Sequence, residues 1–176
     1  MKSHAMSHRC LLVAALATAT LLTGCAGGSG YRHEVLYDTS IRTVSAPIFM
    51  NRTFYREMEF RLSEALAKEI EQTTPYNVTT AGGADTIITG TILSVDQRLL
   101  SRDLETGVAQ EVQVVVTASF EWKDLRTGQI IRKRSRLDAS GEYIPVRGVR
   151  EPLEVARHEA VGELSRQIVS LMASDW

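Results

Sequence analysis

The sequence predicts an α+β fold: two helices packed on one face of a four- to five-stranded, mostly antiparallel sheet, in the order β-α-β-β-β-β-α. Three observations predict it. Val112, Val114, Val116, Ala118, Phe120 and Trp122 fall on one side of a long strand, while Glu111, Gln113, Thr117, Ser119 and Glu121 fall on the other, with Val115 the one exception. Such alternation means one covered face and one wet face, as in antiparallel sheets. Gly-containing turns at Leu104–Gly107 and Leu125–Gly128 bracket this strand as hairpins. Two apolar stripes at helical spacing, one before the hairpins and one after, then supply the cover for a single face.

Taken in order, Ile41 to Phe49 is a β-branched strand interrupted at Pro47, whose missing donor suits a strand end or sheet edge. Asn51, Arg52 and Thr53 offer N-caps. Phe54, Met58, Leu62, Leu66 and Ile70 follow at steps of four and predict a helix, which Thr73-Thr74-Pro75 ends. A short extended segment over Tyr76 to Thr80 completes a parallel crossover. The Gly82-Gly83 turn is no phosphate loop, because no Lys-Ser or Lys-Thr pair follows and a strand comes next. That strand runs from Ile87 to about Leu100 and changes phase near Gly90, which predicts a bulge or twist.

The strand after Gly128 is placed by what must face the core. Pairing Trp122 with Ile131, Val116 with Leu137 and Val114 with Ala139 keeps apolar partners together, and turns Arg132, Arg134 and Arg136 to the open face. Arg132 then stands opposite Glu121 and Arg136 opposite Thr117, while Lys133 points towards the helices and must snorkel to water. Glu151-Pro152 starts the last helix, with Leu153, Ala156, Ala160, Leu164, Ile168 and Leu171 on one face. Gly162 inside it costs about 1 kcal/mol, which predicts close approach of a neighbour there.

Ahead of this domain stands Leu22-Thr23-Gly24-Cys25, at the end of the apolar run Cys10 to Leu22. With Lys2 and Arg9 before it, the segment is similar to a bacterial lipoprotein signal peptide, with a lipobox that makes Cys25 the lipid-attachment residue. The run is too short for a resident span, which takes about 20 apolar residues. The expected organisation is therefore a signal peptide over 1–24, a lipidated Cys25 with a Gly/Ser-rich tether and leader over 25–40, and one α+β domain over 41–176. Removing the signal leaves 18 basic residues against 21 acidic ones, so the mature chain has no general attraction to nucleic acid. Cys10 departs with the signal and Cys25 carries lipid, which leaves no disulfide and no thiolate metal site.

Constellations for catalysis are lacking. No Gly-x-Ser-x-Gly elbow, calcium loop or dinucleotide fingerprint occurs, and His158-Glu159-Ala160-Val161-Gly162 has Gly where a zinc-protease helix needs its second His. The expectation is a protein that is not an enzyme and takes no cofactor and no metal. Arg132, Arg134 and Arg136 are the one group with promise for a ligand. Alternate strand residues stand about 6 to 7 Å apart, a spacing that suits phosphates or carboxylates on a large anion. Solvated strand faces also carry charge with no ligand, and Glu121 is at hand as a cross-strand partner.

Val44-Ser45-Ala46-Pro47-Ile48-Phe49-Met50-Asn51-Arg52-Thr53, the helix over Glu59 to Ile70, Ala84-Asp85-Thr86-Ile87-Ile88-Thr89-Gly90-Thr91-Ile92 and the Asp124-Leu125-Arg126-Thr127-Gly128 turn together resemble the lipopolysaccharide-assembly lipoprotein family, LptE-like. The resemblance runs from about Ile41 to Met172 and includes the lipobox. It implies an outer-membrane lipoprotein facing the periplasm that partners and plugs a large β-barrel translocon for lipopolysaccharide, with a link to binding lipopolysaccharide itself. No ligand residue is carried over from the family, and Arg132, Arg134 and Arg136 are candidate contacts for lipid phosphates on their own spacing. Two other lipoprotein types share some of these elements: the auxiliary lipoprotein of an ABC-type lipid transporter, and a curli-secretion-type lipoprotein. Finally, the strand from Ile87 is too long for a domain of this size, so the hairpin around Arg98 to Val108 is expected to bend or protrude, to be mobile, and to touch a partner.

Overall fold

The computed structural model describes residues 37–105, 107–145 and 151–173, with Glu151 in main chain only. All described residues belong to one compact unit within residues 35–176. The expected signal peptide, Cys25 and most of the leader lie outside the described residues. Eight elements follow in order: β1 (Thr43–Ser45), β2 (Met50–Asn51), α1 (Met58–Thr73), β3 (Asn77–Val78), β4 (Thr86–Arg102), β5 (Ala109–Asp124), β6 (Ile130–Tyr143) and α2 (Glu151–Ser170). A 3₁₀ turn spans Ala81–Gly83. The fold class is the expected α+β, with a six-stranded mixed sheet ordered β3-β1-β4-β5-β6 and β2 joined to β4.

Pro47 divides the first strand into β1 and β2, and both pieces pair in parallel with β4. β1 also pairs in parallel with β3, which closes the crossover through α1. The long antiparallel meander β4-β5-β6 makes up the rest of the sheet. Both helices cover the face that carries Ile88, Ile92, Val116, Phe120 and Trp122, and these side chains join Leu62, Leu66, Ile70, Leu164 and Ile168 in one buried cluster. Burying a Leu, Ile or Phe side chain stabilises by about 1.5–3 kcal/mol, so this cluster decides which face of each strand points inward.

α1 starts later than its stripe predicts. Asn51 folds the preceding loop: its amide donates to the Tyr55 carbonyl at 2.7 Å and to Glu59 Oε2 at 2.7 Å, and its Oδ1 accepts the Thr53 backbone N–H at 2.8 Å. Glu57 then takes a left-handed φ of 72° and the helix begins at Met58. Phe54 is thereby outside the helix and 103% exposed, not on the core stripe. Ser63 ties α1 to β2's approach, its Oγ accepting the Phe49 N–H at 3.1 Å and donating to the Glu59 carbonyl at 2.8 Å.

The phase change in β4 is present, but at Leu93: Ile92 pairs with Ala118 and Ser94 with Thr117. Gly90 has a different job. A Cβ there would meet the ring of Phe49 and, at 2.6 Å, the Ser119 carbonyl oxygen. Close approach also falls on a different glycine from the one expected. Only Arg166 Nη1, at 3.5 Å, stands near a Cβ built at Gly162, whereas one built on Gly141 of β6 would collide with the Ala156 carbonyl of α2.

The two hairpin turns share one design. Asp103-Leu104-Glu105-Thr106-Gly107 and Asp124-Leu125-Arg126-Thr127-Gly128 are both Asp-Leu-x-Thr-Gly. In each, the glycine N–H donates to the aspartate carbonyl at 2.9 Å, the aspartate side chain accepts an N–H two residues on, and the glycine φ is positive, 67° and 75°. A left-handed residue at that point is what glycine supplies without a Cβ clash.

Candidate functional site: the basic strand, the open sheet face and the hairpin tip

The register of β6 differs from the expected one. Trp122 pairs with Arg132, Phe120 with Arg134, Glu121 with Lys133, Ala118 with Leu137, Val116 with Ala139 and Val114 with Gly141. Shifts occur between Ala118 and Phe120, where Ser135 and Arg136 both face Ser119, and again beside Ile131. These bulges let Leu137 and Ala139 keep the helix side while the Trp122 end of β5 keeps it too, without placing Leu137 on Val116.

The three arginines are consequently split. Partners across a ladder share a face, so Arg132 and Arg134 leave on the helix side, opposite Trp122 and Phe120. They stand at the sheet margin: Arg134 is exposed, and Arg132 helps line a cavity of about 420 Å³ with Trp122, Asp38, Gln129 and Met172. Arg136 projects on the open face, its Nε donating to Asp138 Oδ2 at 3.0 Å. Arg132 stands opposite Trp122 rather than Glu121, and Asp138 rather than Arg136 stands opposite Thr117. Lys133 is on the open face, not towards the helices, and its Nζ meets Glu121 Oε2 at 2.9 Å.

The open face is polar along most of its length, with Val115 and Met50 as apolar exceptions. Thr89, Thr91, Ser119, Glu121 and Lys133 line a shallow depression of about 480 Å³ with Met50. Further along, the Thr117 hydroxyl donates to Asp138 Oδ1 at 2.6 Å, and Gln113 donates to Ser140 Oγ and Glu142 Oε1 at 3.3 and 3.2 Å. The Thr117 hydroxyl first, then Arg136, holds the Asp138 carboxyl below its ordinary pKa. The face therefore stays charged and hydrogen-bonded at neutral pH.

At the far end the β4-β5 hairpin carries Leu99, Leu100, Leu104 and Val108, all exposed, with Leu104 98% exposed. No described part of the chain buries this tip. The signal for it in the sequence is the Leu99-Leu100 pair, where alternation breaks. At the opposite end Tyr37 stacks edge-on against Tyr76, with ring centroids 5.7 Å apart, so the leader joins the domain next to Trp122.

His158 is exposed, and it lines a groove between α1 and α2 with Arg61, Glu64, Lys68 and Arg166. Arg157 stacks over the Tyr55 ring at 4.4 Å. Among the described residues no group of three His, Cys, Asp or Glu side chains is placed to hold a metal, and no helix is long and apolar enough to cross a membrane.

Comparison with curated proteins finds no match. Among solved structures, a DUF330 protein of Xanthomonas campestris aligns with a TM-score of 0.54 at 8% identity, over 78% of this chain and 89% of that one. The rare lipoprotein B of Shewanella oneidensis aligns at 0.52 and 14% identity, over 74% and 93%. A hypothetical protein of Chlamydia trachomatis aligns at 0.51 and 12% identity, over 73% and 95%. At these identities the likeness is one of fold. The profile of the family described as LptE, lipopolysaccharide-assembly, matches residues 41–172, which contain every strand and both helices, and the chain belongs to that family.

Proposed function

We propose that this protein is an outer-membrane lipoprotein, anchored through Cys25 and facing the periplasm, that partners and plugs a large β-barrel translocon for lipopolysaccharide. The observation that carries the reading is the open sheet face: a long, helix-free surface of Thr, Ser, Asp, Glu, Gln and Lys side chains. Such a face fits the hydrated interior of a wide barrel and does not fit lipid, where the alternation would leave polar groups unsatisfied. No step in this role needs a catalytic group. The tether from residue 26 to residue 36 spans at most about 40 Å when extended, which keeps the domain close to the bilayer.

Arg132, Arg134 and Arg136 remain the candidate lipopolysaccharide contacts. Their division between the two sides of β6 means that one flat array of phosphates does not meet all three, and Arg136 with Lys133 is the pair on the open side. Affinity purification from detergent-solubilised outer membranes tests the partner. Recovery of a large barrel protein is expected, and recovery of an inner-membrane transporter without a barrel would sink the reading. Joint replacement of Arg132, Arg134 and Arg136 by Ala tests the ligand, since unchanged lipopolysaccharide binding would return them to a solvated strand.

A further inference from the structure

β6 lies at the end of the sheet, and among the described residues no strand pairs with its outer edge. Fourteen residues of open backbone make an efficient template for another strand, and charged side chains, Lys above all, are one way solitary edges are blunted. Charge of one sign along the whole strand would also repel a second copy, but this edge carries both signs in separate halves. Arg132, Lys133, Arg134 and Arg136 precede Leu137, and Asp138 and Glu142 follow it. Exposed Ile130 and Ile144 stand at its two ends.

We infer that β6 is an interface between two copies of this chain, which pair antiparallel through their β6 edges about a two-fold axis at Leu137. With Leu137 on the axis, Arg136 stands opposite Asp138 of the second copy, and Asp138 opposite Arg136. All four are on the open face, where the Arg136–Asp138 ion pair within each chain extends to an alternating square of charge. Beyond the bulge, the basic block from Arg132 to Arg134 runs along the segment of the second copy that bears Glu142, and the Ile130 end approaches the Ile144 end. Leu137 meets its own copy on the helix side. A parallel arrangement would place like charges together, so the charge pattern itself selects the antiparallel one. The same segment that reads as a cationic comb in isolation is, over its full length, complementary to itself. This inference does not depend on the barrel reading.

The test is sedimentation velocity on the full lipidated chain in detergent over a range of concentrations, with Arg136→Asp and Asp138→Arg as separate variants and as a mixture. Each variant sets like charges against each other across the axis and is expected to weaken self-association by about ten-fold or more. Their mixture restores opposite charges at both contacts, and is expected to return the affinity to within about three-fold of the original. Each variant alone also controls for molecules that merely share a micelle, and far-UV circular dichroism checks that the fold is kept. Raising salt is expected to weaken the unaltered dimer. A protein that stays monomeric up to about 100 µM, a mixture no tighter than either variant alone, or an association indifferent to salt overturns the inference and makes the basic block a guard of a solitary edge.

Discussion

Gly141 of β6 lies directly beneath the Ala156 carbonyl of α2, and the helix comes this close because the strand has no side chain there. A methyl group has nowhere to go, since the obstacle is helix backbone. Gly141→Ala is expected to cost about 1–3 kcal/mol, the usual penalty for overpacking. Gly162 gives the opposite result. It sits inside α2 with only the Arg166 guanidinium tip, at 3.5 Å, near its Cβ position, so Gly162→Ala should stabilise by about 1 kcal/mol. Thermal melts of the two variants check both signs.

Asp85 holds β1 to the start of β4. Its Oδ2 accepts the backbone N–H of Arg42 at 2.9 Å, the N–H of Thr43 at 3.1 Å and the Thr43 hydroxyl at 3.1 Å, and these bonds keep its carboxyl below the ordinary value, the Arg42 N–H contributing most. A depressed carboxyl contributes stability that is present above its unfolded-state pKa and lost as pH falls through the folded one. The melting temperature should therefore fall between about pH 5 and pH 3. In Asp85→Asn it should start lower at neutral pH and fall less across that range. A melt series from pH 7 to pH 3 measures the difference in slope, and equal slopes would show that other carboxylates dominate.

Tyr76 presents the alkaline counterpart. Its ring is packed between Tyr37 and Trp122 at 2% exposure, its hydroxyl has no well-formed hydrogen bond among the described residues, and burial, opposed only in part by the nearby Asp38 backbone, pushes its pKa up to about 12 from the usual 10. A raised pKa contributes stability below the unfolded value that is lost as pH rises through the folded one, here between about 10 and 12. Tyr76→Phe should stay within about 1 kcal/mol of the parent at pH 7, because the buried hydroxyl it removes has no well-formed partner among the described residues. It should also lose the alkaline decline above pH 10, which chemical denaturation at pH 7 and pH 11 resolves.

The hairpin tip separates partner contact from stability. Leu104 touches little of its own chain, so Leu104→Asp should change folding stability by no more than about 0.5 kcal/mol. Under the proposed function the same variant should reduce recovery of the barrel from detergent-solubilised membranes. Full recovery would remove the tip from the interface.

Local pattern and tertiary fit are divided unevenly along this chain. The alternation over Val112 to Trp122 determined β5, its covered face and the polar character of the other, because a period of two leaves only one way to bury Val114, Val116 and Phe120. Spacing determined both helices, with Met58, Leu62, Leu66 and Ile70 all buried. Glycine at Gly107 and Gly128 determined the two turns. Together with the order of elements, this made the α+β class and the family resemblance legible before any coordinates. The Arg-rich run was legible as a basic strand, but not as to which face each arginine takes.

What the tertiary structure decided is where periodicity is broken by fit between distant segments. Bulges at Leu93, at Ser135 and beside Ile131 shift the register, and each reverses the face of every residue beyond it. That is why Lys133 meets Glu121, and why the three arginines divide. The bend at Glu57 depends on what Asn51 reaches across the loop, so Phe54 lost its place on the stripe. Close approach depends on where α2 crosses the sheet, so it fell on Gly141 rather than Gly162. A residue's own neighbours set its local conformation; its face and its contacts are set by groups that only folding brings within a few ångströms.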